Sequence, residues 1–239
     1  RDLFKSANIK FRSYLDDISL TTASKSLKNN IKTLEREVKD IVDLGKKNVI
    51  SFDIDKTELI HFDNSKNKPS LKLPNGELVS PSKVVKWLGI YFDENLRFKE
   101  HIAYRASKAK QAFYRVQRLT NISRGLSPFA IRQLYLACVT SVIDYGSILW
   151  WKTESKAQIR PLQAIQNLAL RKTLGVFKTA PIIPMEVESA LVPPIIRLNH
   201  SRRRYAFRIL KLSLKHPVRL VFEKSFQRSR DLEVIESDI

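Results

Sequence analysis

The sequence predicts an α+β protein: short strands and hairpins with one packed helix come first, and an all-helical portion follows. Three observations carry this. Apolar residues alternate around Phe11–Leu20, the period of a strand. They recur at three- and four-residue spacing from Leu27 to Val42, the period of a helix. Beyond Phe98 only the helical spacing persists, which sets the boundary between the two portions near Asp93 to Phe98. With 43% hydrophobic residues in 239, the chain can bury real cores, in one large domain or two small ones.

Taken in order, Ile9 to Tyr14 and Ile18 to Thr22 read as two short strands joined by a tight turn, with Asp16-Asp17 at its tip. Two carboxylates on a hairpin turn are hard oxygen donors suited to a divalent cation such as Mg²⁺. From Ser24, the expected N-cap, Leu27, Ile31, Leu34, Val38, Ile41 and Val42 form one helical face, with Gly45 as the expected stop. Val49–Phe52 and Leu59–Phe62 read as strands, and Leu71–Leu73 with a Pro74-Asn75-Gly76 turn reads as a hairpin. Val84–Phe92 reads as one further strand.

In the second portion Ile102, Ala106, Ala109, Phe113 and Val116 form a stripe, with Arg105, Lys108, Lys110, Arg115 and Arg118 largely off it. Ser127-Pro128 is an N-cap followed by proline at the first helical position. A second apolar face then runs through Ile131, Leu134, Tyr135, Cys138, Val139 and Val142. A third helix is expected from about Ala157 to Leu174, stopping at Gly175, and a basic helix from about Ile196 to Lys215. The charged stretch after Pro217 has weak periodicity.

Charge narrows the partner. Lys and Arg number 43 against 24 Asp and Glu, a net charge of +19, which points to a polyanion: nucleic acid first, an anionic membrane surface second. No apolar run reaches the length of a transmembrane helix, and the first residues resemble neither a signal nor a transit peptide. The single cysteine, Cys138, excludes an intramolecular disulfide framework and a zinc knuckle, and is expected to pack in the core. A reducing compartment, nucleus or cytoplasm, is the expected location.

Tyr14-Leu15-Asp16-Asp17 resembles the Tyr-x-Asp-Asp motif of reverse transcriptases. Downstream, Phe52–Phe62 is similar to the segment that follows this hairpin and its helix in non-LTR (LINE-like) retrotransposon enzymes. Trp87-Leu88-Gly89-Ile90, with Asp93, Leu96, Phe98 and His101, resembles their primer-grip hairpin leading into the thumb. Tyr145-Gly146-Ser147 with Trp150, Gln166, Leu170-Arg171 and Gly175 resembles the helical region beyond. The likeness runs from about Phe11 to His216, and the ordered set is more specific than any one motif.

The resemblance implies a partial polymerase palm over residues 1–97, a helical thumb over 98–150, a helical extension over 151–216 and a charged tail over 217–239. It implies that Asp16 binds catalytic Mg²⁺ with Asp17 beside it, and that Tyr14 lies under the primer terminus. Lys56 would sit near the leaving pyrophosphate, and Trp87, Leu88 and Gly89 would hold the primer. Arg105, Lys108 and Arg115 of the thumb would track the duplex of RNA template and DNA primer through its phosphates. In this family a further metal-binding Asp precedes the hairpin. Here thirteen residues precede Tyr14, with Asp2 their sole carboxylate. The chain opens on Arg1, so a fragment lacking part of its metal site, inactive alone, is expected. The alternative from another class is a non-catalytic nucleic-acid-binding remnant. His61 and His101 are expected to be structural.

Overall fold

The computed structural model describes residues 9–119, 125–152 and 155–224. Asp2 and residues 225–239 of the charged tail lie outside the described residues. The fold is mixed α+β, with small two-stranded antiparallel sheets and a larger helical content, compatible with a partial palm followed by a helical region. The chain divides into two compact units, Arg1–His101 and Ile102–Ile239.

In the first unit, β1 (Ile9–Tyr14) pairs with β2 (Asp17–Thr22), and β2 packs against α1 (Leu27–Lys47). The helix begins two residues later than the Ser24 cap suggested. Ser26 is the N-cap, and Ser24 braces it by accepting its N–H at 3.3 Å. α1 lays Ile31 with Leu34 and Val38 over Leu59, Leu71 and Leu73, the small core of this unit. Glu35 fastens it to the next hairpin by accepting the Lys72 N–H at 3.0 Å.

Gly45 does not stop the helix. It lies buried within α1, where an added Cβ would come 2.5 Å from the Phe52 ring and 2.9 Å from the Ile50 carbonyl. The helix ends two residues beyond it: Val49 N–H donates to Lys46 O and Ile50 N–H to Gly45 O, the paired bonds of a Schellman motif. Val49 holds the left-handed position, φ 59°.

That return explains why Val49–Phe52 is not a strand. Its first residues close the helix, and a 3₁₀ turn, Ile54–Lys56, follows. Leu59–Phe62, expected as a strand, makes only an isolated bridge, Leu59 to Pro81. His61 is buried there, its Nε2 2.8 Å from Pro69 O, a structural role. β3 (Leu71–Lys72) and β4 (Leu78–Val79) form the expected hairpin, with Gly76 at φ 92° in the turn. The Val84–Phe92 stretch is two strands rather than one. β5 (Val84–Trp87) and β6 (Ile90–Asp93) pair across Leu88-Gly89, both at positive φ (47° and 75°), as a type I′ turn requires. The Asp93 carboxylate then accepts from the N–H groups of Asn95, Arg97 and Phe98, tying down the approach to α2 (Lys99–Gln117).

In the second unit the α2 stripe is buried at Ile102, Ala109, Phe113 and Val116. α3 (Pro128–Leu134) starts as expected, with Ser127 Oγ accepting the Ala130 N–H. It then widens into a π-helical segment, Tyr135–Thr140, before α4 (Ser141–Ile143). Thr140 and Ser141 hydroxyls donate to the carbonyls of Leu136 and Ala137, both at 2.6 Å, within this widened turn. The extra residue per turn breaks the 3.6-residue phase. Tyr135, Val139 and Ile143 go inward, and Cys138, expected in the core, is exposed. After α5 (Ser147–Trp150) come α6 (Lys156–Leu174), closed by Gly175 at φ 67°, α7 (Ile182–Glu188) and α8 (Pro194–Leu210). α8 ends short of Lys215, and residues 217–224 are helical again. Among the described residues no helix is long and apolar enough to cross a membrane.

Candidate active site

The hairpin of β1 and β2 separates its residues into two faces. Ile9, Phe11, Leu20 and Thr22 share one side and are half-buried; Arg12, Tyr14, Asp17 and Ser19 share the other. The turn consists of Leu15 and Asp16, so Asp17 is the first residue of β2 and lies directly across from Tyr14. The acidic pair thus straddles the turn and the strand. Leu15 has φ 54° and Asp16 does not have a positive φ, the sign pattern of a type II′ turn. That geometry favours glycine at the first position; for leucine it costs roughly 1–3 kcal/mol.

Tyr14, Leu15, Asp16 and Asp17 are all exposed, Leu15 at 89%. Neither aspartate forms an ion pair among the described residues. Their four oxygens are the hard donors that Mg²⁺ accepts, and this ion is commonly held by one or two carboxylates plus water and phosphate oxygens. The donor chemistry fits. Among the described residues, however, no group of three or more Asp, Glu, His or Cys comes together. The two carboxylates form a partial site.

Lys56 closes the 3₁₀ turn, with its Nζ 2.5 Å from Asp53 Oδ2. The hydrogen bond and the charge of Asp53 raise its pKa above 10.5, so it is an ammonium at neutral pH. Both partners are well exposed, so this pair does little for stability.

Trp87, Leu88 and Gly89 come together at the tip of the β5–β6 hairpin, all half-buried. The Trp87 indole N–H is buried without a hydrogen bond among the described residues. Lys86, on the other face, is 5.8 Å from the Tyr91 ring centroid.

On α2, the Arg105 guanidinium stacks 4.0 Å above the Tyr145 ring, which makes it an internal clip as well as a surface cation. Lys108 is exposed, 5.6 Å from the Tyr104 ring, and Arg115 is exposed.

Sequence reasoning missed a buried polar network in the second unit. Arg197 makes a two-pronged pair with Asp144, Nε–Oδ2 at 2.6 Å and Nη2–Oδ1 at 3.1 Å. Arg197 also donates to Gln166 Oε1 at 3.3 Å, while the Gln166 amide donates to Glu186 at 3.1 Å and to Val192 O at 3.3 Å. Tyr135 reaches Gln166 at 3.5 Å, and burial pushes its phenol up to about 12. Burial also raises the Asp144 carboxyl, with Arg197 pulling it only partly back. The available signal was Asp144 alone, one acid between Val142-Ile143 and Tyr145-Gly146. Its partner lies 53 residues away in sequence.

Comparison with known proteins finds relatives over part of the chain. No protein-family model and no solved structure matches the chain. The chain is 30% identical over 131 residues to the retrovirus-related Pol polyprotein from type-1 retrotransposable element R1 of Bradysia coprophila, covering 54% of this chain and 13% of that protein. It is 25% identical over 133 residues to the polyprotein of element R1 4 of Nasonia vitripennis, covering 56% of this chain and 34% of that one. It is 26% identical over 161 residues to a probable RNA-directed DNA polymerase from transposon BS of Drosophila melanogaster, covering 66% and 18%. The matched regions thus span from 13% to 34% of these relatives. The likeness to non-LTR retrotransposon polymerases that the motifs carry is found again in these proteins.

Proposed function

We propose that this chain is the later palm, the thumb and a helical extension of an RNA-directed DNA polymerase of a LINE-like retrotransposon. The observation that carries the reading is the exposed Asp16-Asp17 pair at the tip of a hairpin packed on α1, in a chain similar to such polymerases. Asp16 and Asp17 would hold Mg²⁺ together with an acidic group from outside the described residues. When bound, the metal supplies charge that stabilises the attacking and leaving oxygens of an in-line nucleotidyl transfer.

The chain's own residues do the rest. Tyr14, opposite Asp17 on one face of the hairpin, offers a ring on which the primer terminus rests. Lys56, an ammonium at neutral pH whose pKa Asp53 raises further, offsets charge on the departing pyrophosphate. Trp87, at the end of β5, and the two-residue turn Leu88-Gly89 hold the primer strand. Arg105, Lys108 and Arg115 neutralise phosphates of the RNA–DNA duplex.

The test is primer extension by the complete polymerase carrying this chain. Asp16→Asn is expected to lower templated incorporation by about 100-fold or more, the scale of losing a preorganised charge-stabilising group. Binding of an RNA–DNA duplex should be retained and should weaken steeply with salt. The 239-residue chain alone should bind and not extend. Undiminished incorporation by Asp16→Asn would overturn the catalytic assignment. Duplex binding by a complete protein that extends nothing would instead favour the non-catalytic remnant.

A further inference from the structure

No acidic residue lies between Glu188 and Glu223, a stretch that holds eight Lys and Arg and includes the whole of α8. Among the described residues Arg197 pairs with Asp144 and Arg219 with Glu223. α8 buries Pro194, Leu198 and Ile209 on one side. At 100° per residue, the opposite side carries Ile196, His200, Arg203, Arg204, Phe207, Leu210 and Lys211, the last continuing the helical phase one residue past the end. All seven are exposed among the described residues, Phe207 at 64%, Ile196 at 57% and Leu210 at 45%. Arg203, Arg204 and Lys211 form no ion pair among the described residues.

We propose that this outward face of α8 is a binding surface for single-stranded nucleic acid. Arg203, Arg204 and Lys211 meet phosphates, and Phe207 stacks on a base with His200 two turns away. A face that alternates cations with an exposed ring offers both contacts that single strands use, charge for the backbone and a π surface for unpaired bases. A duplex offers the charge contact but hides its base faces, so Phe207 would gain nothing from it. An anionic membrane is the poorer match, because interfacial helices gather their apolar residues into a continuous stripe. On α8 the continuous stripe is already buried within the unit, and the exposed Ile196, Phe207 and Leu210 are interspersed with Arg203, Arg204 and Lys211. The inference shares with the polymerase reading only that nucleic acid is the ligand; it does not involve the Asp16-Asp17 hairpin.

The test is fluorescence anisotropy of a labelled oligothymidylate with the 239-residue chain across a salt series. Phe207→Ala is expected to weaken binding about 10-fold at every salt concentration, within the range for losing one base stack. Arg203→Gln with Arg204→Gln is expected to flatten the slope of log K against log salt by about 1.4, the value for two single-strand phosphate contacts. A blunt RNA–DNA duplex should lose far less affinity in Phe207→Ala than the oligothymidylate does. Unchanged oligothymidylate binding by Phe207→Ala would overturn the proposal. So would equal losses for duplex and single strand, or a Phe207→Ala defect seen only with phosphatidylserine vesicles. If the unaltered chain binds duplex but the α8 variants change nothing, the inference fails and the polymerase reading stands. If the unaltered chain binds no nucleic acid, both fail.

Discussion

The two units place their polar residues in opposite ways. In the first, the candidate polar residues sit outside, Asp16 and Asp17 on one hairpin tip and Lys56 on an exposed turn, while Trp87 to Gly89 are half-buried at another tip. Beneath them lies a small core of Ile31, Leu59, Leu71 and Leu73, and each sheet has two strands. In the second, one linked set of polar residues lies inside. Asp144, Arg197, Gln166, Glu186 and Tyr135 form one connected network within the helices. Around it Phe113, Tyr135 and Trp150 are fully buried, with Phe113 and Tyr135 edge to face at 6.2 Å. Two-stranded hairpins are marginal by themselves. The first unit therefore relies on turns and helix ends to fix its geometry, and the second on its core. The lesson is that position, rather than residue type, separates an acid open to solvent from one that holds a fold.

The sharpest way to break this comparison is to remove the cation from the buried network. Arg197→Ala leaves Asp144 inside with no opposite charge and strips a donor from Gln166. The expected cost is about 3 kcal/mol, the low end for a broken buried pair because both side chains keep some exposure. Unfolding by denaturant, followed by tryptophan fluorescence of Trp150 and Trp151, measures it. The pH dependence has a definite sign. The folded carboxyl of Asp144 is already raised above 3.8, so the folded state holds its proton more tightly than the unfolded chain does. Its contribution is most favourable below 3.8 and is lost as pH rises through the raised value. Losing Arg197 raises that carboxyl further. The gap between variant and parent should therefore be widest at neutral pH and narrow on acidification. A gap that does not depend on pH would mean the loss comes from packing alone.

The second prediction moves to the first unit. Gly45→Ala places a methyl group 2.5 Å from the Phe52 ring and 2.9 Å from a backbone carbonyl. The ring can shift, but the Ile50 carbonyl is held by the Schellman return. A loss of about 1–3 kcal/mol is expected, typical of overpacking, read as a lower midpoint in denaturant. No loss would show that the return from α1 is loose, and the comparison would have to put the first unit's rigidity elsewhere.

Much of this architecture was legible in the sequence, and the exceptions share a cause. α1, α2 and α6 follow from apolar spacing, and the Ser127-Pro128 start follows from cap chemistry. The β1–β2 hairpin was legible from alternation, though not that Leu15 and Asp16 alone make its turn. What failed were the places where the backbone leaves the favoured conformation of its residue. Leu88 at φ 47° hid a turn inside an apparent strand, and Val49 at φ 59° let the helix run past Gly45. The π-helical segment turned Cys138 outward because hydroxyls at Thr140 and Ser141 serve carbonyls that a regular helix would satisfy itself. Periodicity assumes a uniform backbone and cannot register such local departures. The candidate site was legible as a motif. The Asp144–Arg197 network was not, because pairing across 53 residues leaves no local trace.

Val49 supplies the last and smallest test. It occupies the C′ position of α1 with a left-handed backbone, although its branched side chain is 96% exposed and gains nothing by packing. A left-handed conformation costs an L-residue roughly 1–2 kcal/mol, which glycine avoids. Glycine gives back about 0.5–1 kcal/mol through its greater freedom in the unfolded chain. Val49→Gly should therefore stabilise the protein slightly, by up to about 1 kcal/mol, seen as a higher denaturation midpoint with an unchanged slope. The gain should appear in the transition of the first unit and leave that of the second unmoved. It should also vanish in the Gly45→Ala background, because that substitution displaces the chain the Schellman bonds hold. Additive effects would show that the helix end and the Phe52 packing are independent. The first unit would then lack the shared anchor on which its exposed, chemistry-bearing tips depend.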